Sequence, residues 1–287
     1  MTDLESLNLK ICKIKNLPEL PAASIKIINA VSDPNIAIEE LATVISISPV
    51  LTARLLGLAN SAYFGRTDQL LDLKTAIIRV LGLNLVKSLA LGILLNLSLN
   101  TSKCSSFKSE KLWMNALVTA MLGNKLSLLL RDETFTPSTS YTAGLLLNIG
   151  LTAAVHLFPE QIEEVLKQVE KNSSSVKVEM TNLIGHNQFE IGGLLLEHWH
   201  LPDFYQIVLK EFKNNSYSGA ETKFICFITI CYELAKKILA NEEEGMTSLI
   251  NKLESYGLSE TAIRPIFSEI NAKKDNIYLA ALAISGQ

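Results

Sequence analysis

Four histidines and four cysteines are the side chains of this sequence best suited to grip a metal or attack a substrate. A metal centre needs lone pairs converging on one point, commonly with a carboxylate among them. His156 and His186 stand alone, and His198 and His200 sit two apart across Trp199, which on a continuing helix sends them to opposite sides. His200 precedes Leu201-Pro202, near a helix end where a cationic ring suits the dipole. Cys226 and Cys231 are five apart, and Cys12 and Cys104 have no paired neighbour. That pattern predicts reduced, mostly buried thiols. The run Glu242-Glu243-Glu244 reads as a solvated helix end. No GxxxxGKS, HExxH or GxSxG pattern occurs, so phosphate-loop, zincin and nucleophile-elbow chemistry have no support. Arg54 and Arg79 lie within apolar helical stretches, where two roles stay open: ion pairs that tie helices together, or anion contact through the guanidinium fork.

Composition narrows what must position these groups. Of 287 residues, 48% are hydrophobic, 19% charged and only 7% aromatic, so Leu, Ile, Ala and Val must fill the core. Fourteen glycines and eight prolines are few for a β-sandwich with many tight turns. A net charge of −3 with five arginines argues against a nucleic-acid partner. The opening residues MTDLESLNLKICKIKN begin acidic and lack a long apolar run, so no secretory signal is read there and a cytoplasmic protein is expected. Val80 to Leu99 has the length of a bilayer span. Asn84, Lys87, Ser88, Asn96 and Ser98 interrupt it, and a buried core helix rather than a membrane span is predicted.

Periodicity and punctuation predict an all-α fold. Ala22 to Val31 is helical and stops at Ser32-Asp33-Pro34; Asn35 to Ser46 resumes. Ser48-Pro49 reads as an N-cap with proline at the first helical position. Asn60-Ser61-Ala62 breaks that helix and Gly65 closes the turn, leaving Tyr63 and Phe64 as an aromatic pair on a loop. Asp72 caps a helix ended by Gly82. Asn100 to Ser106 is a polar linker, Ser109 to Arg131 one long helix, Asp132 to Ser140 a loop, and Tyr141 to Ile149 a short helix stopped by Gly150. Further helices fit Pro159–Lys171, Val178–Ile184, Phe189–Trp199, Phe204–Phe212, Glu221–Asn241, Thr247–Tyr256, Thr261–Ala272 and Asn276–Ile284. No period-two strand and no internal repeat is found.

Several of these segments carry a specific wording. LPELP opens at Leu17, followed by SDPN, IEELA and SPVLTARLLGLANSAYFG up to Gly65, then TAIIRVLGLNLVKSLAL at Thr75 to Leu91. KLWMNALVTA at Lys111 to Ala120, AGLLLNIG at Ala143 to Gly150 and IGHNQFEIGGLLLEHWHLP at Ile184 to Pro202 continue it. Together they resemble the HDOD domain, a bacterial signalling module related to the HD-type metal-dependent phosphohydrolases. The resemblance covers about residues 16–213.

The resemblance implies two helical lobes, about 16–102 and a degenerate HD-like bundle about 107–213, with 214–287 as helices packing on the second. It also locates where a metal site would lie. In an HD enzyme a His, an adjacent His-Asp pair and further ligands hold the ion that activates water. Followed residue by residue, those positions fall at or near Asn115, at Leu147-Asn148 and at Gln188. Leucine offers no lone pair, and a neutral amide is a poor substitute for carboxylate. The reading is therefore a protein with no catalytic residue, metal or cofactor, acting as a signalling scaffold. Its partners would be signalling proteins met in trans, from the kinase, receiver or cyclic di-GMP components with which the family is associated. Arg54, Asn60, Tyr63, Phe64 and Arg79 are the candidate interaction or anion-contact residues. A metal-dependent phosphohydrolase and a small-molecule or nucleotide sensor using the groove between lobes are the alternatives.

Overall fold

Proline at helix starts, glycine at helix ends and short polar caps divide the chain into helices. The computed structural model describes residues 17–65, 68–130, 132 and 134–286, and no strand occurs among them. Cys12 lies outside the described residues, as does Arg131, the expected end of the long helix. The helices are α1 (Ala22–Ser32), α2 (Ile38–Ile45), α3 (Pro49–Ala59), α4 (Leu73–Ala76), α5 (Leu83–Leu97), α6 (Ser109–Ser127), α7 (Pro137–Leu146) and α8 (Ile149–Leu157). They continue with α9 (Pro159–Asn172), α10 (Val176–Ile184), α11 (Gln188–His198), α12 (Asp203–Lys210), α13 (Thr222–Ala240), α14 (Met246–Glu254), α15 (Glu260–Ala272) and α16 (Lys274–Ser285).

Their boundaries follow from local chemistry. The Ser48 side chain accepts the Leu51 N–H at 3.3 Å with Pro49 in the first helical position, and Asp72 accepts the Thr75 N–H at 2.8 Å. Asn187 and Glu190 form a reciprocal capping box at the start of α11. Beyond α4 the chain widens into a π turn, Ile77–Leu81, in which Gly82 N–H reaches Ile77 O at 2.8 Å. Gly82 then takes φ +75°, a conformation open to glycine, and the axis turns by 119° into α5. The apolar stretch over Val80–Leu99 is thus broken at Gly82, and its helical part is α5. One run among the described residues, Pro137–Leu157, has the length and hydropathy of a span, and 78% of it is buried.

Two expectations need correction. Pro137 opens α7 inside the segment read as a loop, because the helix accepts proline at its first position. Gly150 does not stop a helix: it lies in the first turn of α8, a helix the periodicity did not reveal. A Cβ built on Gly150 would stand 1.8 Å from Gln188 O and 2.4 Å from Gly192 N, so glycine is there for a backbone crossing.

Packing groups the helices into two units that interleave along the chain. One comprises Leu95–Lys108 and Leu147–Glu221, with residues 17–20. Here α8 lies against α11, and α11 against α12, at glycines: a Cβ on Gly193 would come 3.0 Å from Gln206 O. Trp199, almost wholly buried, donates its indole N–H to Pro18 O at 2.7 Å. Glu163 on α9 gathers the 104–106 turn, accepting from Ser106 N–H at 2.9 Å, Ser106 Oγ at 2.7 Å and Ser105 Oγ at 3.0 Å. These bonds, the Ser106 amide foremost, hold its carboxyl well below the usual range.

The other unit comprises Pro21–Leu94, Ser109–Leu146 and Thr222–Gln287. Its centre is α6, packed by α7, α13 and α16; α16 also lies on α3. Small residues permit the α6–α7 approach, since a Cβ on Gly144 would be 2.6 Å from Ala120 N. Phe135 meets Phe224, Phe227 and Tyr256 with ring centroids 6.1, 5.1 and 5.8 Å apart, closing the end of the unit with an aromatic cluster.

Candidate functional site

The loop between α3 and α4 has its sharpest restraint at Asn60, whose side chain donates to Leu70 O at 3.0 Å and accepts from Leu70 N–H at 2.7 Å. Asn60 therefore fixes the loop from within and holds it for its neighbours. Tyr63 and Phe64 follow in a single 3₁₀ turn ended by Gly65 at φ +63°, their rings edge to face at 4.8 Å. Both line a cavity of about 430 Å³ that lies wholly within the second unit.

The cavity takes its walls from α3 (Leu58), the start of α5 (Asn84, Leu85, Ser88, Leu89), α6 (Leu117, Met121, Asn124, Lys125), the start of α7 (Pro137, Ser138, Tyr141) and α16 (Ile277, Ala280). Its apolar body comes from leucines and Ile277. The polar groups are few and mostly committed. Ser88 and Thr142 share a hydroxyl bond of 2.7 Å, Asn124 Nδ2 donates to Pro137 O at 3.1 Å, and the Tyr63 hydroxyl meets Met121 Sδ at 3.6 Å. Lys125 pairs with Glu269 at 2.8 Å, and Glu269 is also held by Lys273 at 3.0 Å. Lys125, then Lys273, hold the Glu269 carboxyl below its usual range. The Lys273 ammonium also lies 5.9 Å from the Tyr63 ring centre. Burial pushes the phenol of Tyr141 far up, with Tyr63 adding to the effect, so Tyr141 stays un-ionised. Its hydroxyl has no hydrogen-bond partner among the described residues.

The two arginines stand elsewhere. Arg54, on α3, lies at the end of α16, where its Nη2 would be 2.7 Å from a Cβ on Gly286; a cation at a helix C-terminus suits the dipole. Arg79 is exposed on the π turn and takes no part in the cavity lining. The structure therefore brings Tyr63 and Phe64 together and leaves Arg54, Asn60 and Arg79 in separate settings. Tyr141, Ser138 and Lys125 were not singled out by their spacing. Their signal is only that one apolar helix and one loop proline precede an aromatic residue, which ordinary core packing also produces.

The positions to which an HD-type metal would be traced divide between the units. Asn115 is a half-buried residue of α6, in the second. Leu147, Asn148 and Gln188 lie in the first, where the Gly150 crossing sets the turn before α8 against the start of α11. Leu147 is wholly buried and Asn148 nearly so. Gln188 is buried too, and its Oε1 has no hydrogen-bond partner among the described residues. A hydrocarbon and two neutral amides do not fit a divalent phosphohydrolase metal, whose ligands are imidazole and carboxylate. Among the described residues no group of three His, Cys, Asp or Glu side chains could hold an ion. His156 Nδ1 accepts the Asn100 N–H at 2.9 Å, and His186 lies 3.3 Å from Glu190. Cys104 and Cys231 are buried and Cys226 is exposed.

An all-helical fold with this motif order matches the model of the HDOD domain over residues 17–214, and the chain belongs to that family. An uncharacterized protein of Treponema pallidum (strain Nichols) is 30% identical over 197 residues, 67% of this chain and 36% of that protein; the match spans about a third of the relative's length. Among solved structures, an HDOD domain protein with unknown function from Geobacter sulfurreducens superposes with a TM-score of 0.75 at 20% identity, covering 98% of this chain and 97% of that one. A "Putative signal transduction protein" from Marinobacter aquaeolei VT8 gives 0.78 at 22% identity, over 99% of this chain and 67% of that one. At these identities the likeness is one of fold.

Proposed function

We propose that this chain is a non-catalytic HDOD signalling protein of the bacterial cytoplasm, which works by docking other signalling proteins in trans. The observation that carries the reading is Leu147. The family resemblance traces the histidine of an HD pair to this position, and Leu147 is wholly buried beside Asn148 in the first unit. A site that needs lone pairs has there a hydrocarbon side chain packed as core, and water activation by a divalent ion loses a ligand. What remains to such a protein is surface and shape. The test is metal content by mass spectrometry together with hydrolysis of bis(p-nitrophenyl) phosphate in manganese or magnesium. Sub-stoichiometric metal and no turnover above buffer are expected. Stoichiometric metal with turnover would overturn the reading.

A further inference from the structure

The cavity behind Tyr63 has no role in that reading, and its chemistry is specific enough to name a guest. About 430 Å³ lies within the range of small-molecule pockets. Leucine and isoleucine side chains offer a guest an apolar body of contacts. The lining itself carries one charged residue, Lys125. Lys125 on the lining and Lys273 over the Tyr63 ring are balanced by a single carboxylate, Glu269, which leaves one positive charge in excess. Two helices also present their first turns to the space, α5 through Asn84 and Leu85 and α7 through Pro137 and Ser138. The first-turn N–H groups of a helix lack intrahelical acceptors and carry partial positive charge. In α7 Pro137 has no N–H, the Thr139 N–H goes to the Thr136 hydroxyl at 3.2 Å and the Ser140 N–H to Thr136 O at 3.0 Å, so Ser138 supplies the one first-turn N–H left for a guest among the described residues. The Tyr141 hydroxyl, with no hydrogen-bond partner among the described residues, adds a neutral donor.

We propose that this cavity binds one small amphipathic monoanion, an apolar body carrying a single carboxylate-type head. A nucleotide is disfavoured, because two or more phosphate charges would meet a single excess cation in a largely apolar space. Such a ligand would give a docking protein an input, binding the folded state and stabilising it by mass action.

Isothermal titration of the 287-residue chain with 2-naphthoate and with its neutral counterpart 2-naphthamide tests the proposal. One saturable site per chain is expected for naphthoate, with the amide weaker by roughly tenfold, the scale of one charge-assisted contact. Lys125→Met should erase that preference and Lys125→Arg keep it. Ser138→Leu, at the half-buried start of α7, and Ala280→Leu, on the cavity wall, should abolish binding of both compounds. Equal affinity for acid and amide would overturn the proposal. So would binding undiminished in the filled variants, no saturable site below about millimolar, or adenosine triphosphate binding as tightly as naphthoate. Should neither filled variant fold, nuclear Overhauser contacts between naphthoate and the Tyr141 ring of the unaltered protein decide: contacts support the site, and none refutes it.

Discussion

Asn60 and Leu70 are joined at both ends of one side-chain amide, the Asn60 Nδ2 donating to Leu70 O and the Oδ1 accepting from Leu70 N–H, at 3.0 and 2.7 Å. A side chain ten residues upstream thus stands in for the partner strand that Leu70 lacks, and both backbone groups of a buried leucine are satisfied. The same clamp sets the loop that carries Tyr63 and Phe64 to the cavity.

Removing the clamp exposes its worth. Asn60→Ala leaves one buried donor and one acceptor without partners, and a loss of about 1–3 kcal/mol is expected. Asn60→Asp keeps the acceptor for Leu70 N–H but sets a carboxylate oxygen against Leu70 O, so it should not restore stability. Urea unfolding of the two variants checks this, and alanine indistinguishable from the native residue would show that the clamp contributes nothing.

Glycine crossings supply a graded series. A Cβ at position 150 would stand 1.8 Å from Gln188 O, one at 144 2.6 Å from Ala120 N, and one at 57 only in ordinary contact with Ala283 Cβ at 3.8 Å. Gly150→Ala must drive α8 off α11, since the obstacle is backbone and cannot rotate away, and a cost of at least about 3 kcal/mol is expected. Gly144→Ala should cost somewhat less. Gly57→Ala should be neutral or stabilising by up to about 1 kcal/mol, because alanine restricts the unfolded chain and suits a helix interior. Melting temperatures in that order support the crossings as described.

Those glycines also show where sequence is informative and where it is silent. Ser48-Pro49, Asp72 and Gly82 are legible because each acts on its own few residues, through a hydrogen bond or a fixed φ. The same local rules make Gly150 a helix stop. Its actual role depends on Gln188 and Gly192, some forty residues away, and no local rule contains them. Lys125, Ser138 and Tyr141 were missed likewise: a cavity wall is a relation among five helices, and periodicity marks only that a face is buried. The tracing of ligand positions to Leu147-Asn148 rests on the family wording alone, which names residue types for that turn and not its packing.

Glu163 makes a prediction about acid. Its ordinary pKa is 4.5, and hydrogen bonds from Ser106 N–H, Ser106 Oγ and Lys167 lower it in the folded protein. With the folded value below the unfolded one, the carboxylate's contribution is complete above pH 4.5 and is lost as pH falls through the folded value. The stability gap between the native protein and Glu163→Gln should therefore be constant from about pH 7 to pH 5 and shrink at about pH 3. Urea midpoints across that range check it; a gap that widens on acidification would contradict the assigned hydrogen bonds.

Leu147 allows a direct test of whether a metal ligand can be restored. Restoring the chemistry that an HD enzyme would need there means placing an imidazole in a wholly buried position. Leu147→His gives up the transfer free energy of a packed leucine and buries a ring nitrogen, and a loss of roughly 3 kcal/mol or more is expected. A metal could repay that only if other ligands converged on the same point. The residues in this unit traced to ligand positions are Asn148 and Gln188, both neutral amides, and Asn115 is an amide as well. Thermal unfolding of Leu147→His with and without manganese separates the cases. If the position is converted core, the variant melts lower and manganese leaves its midpoint unchanged. If a latent site survives, manganese raises the midpoint toward the native value, since an ion that binds only the folded state stabilises it in proportion to RT ln(1 + [L]/Kd). An unchanged midpoint is the expected result, because one regained ligand among amides and hydrocarbon does not make a metal centre.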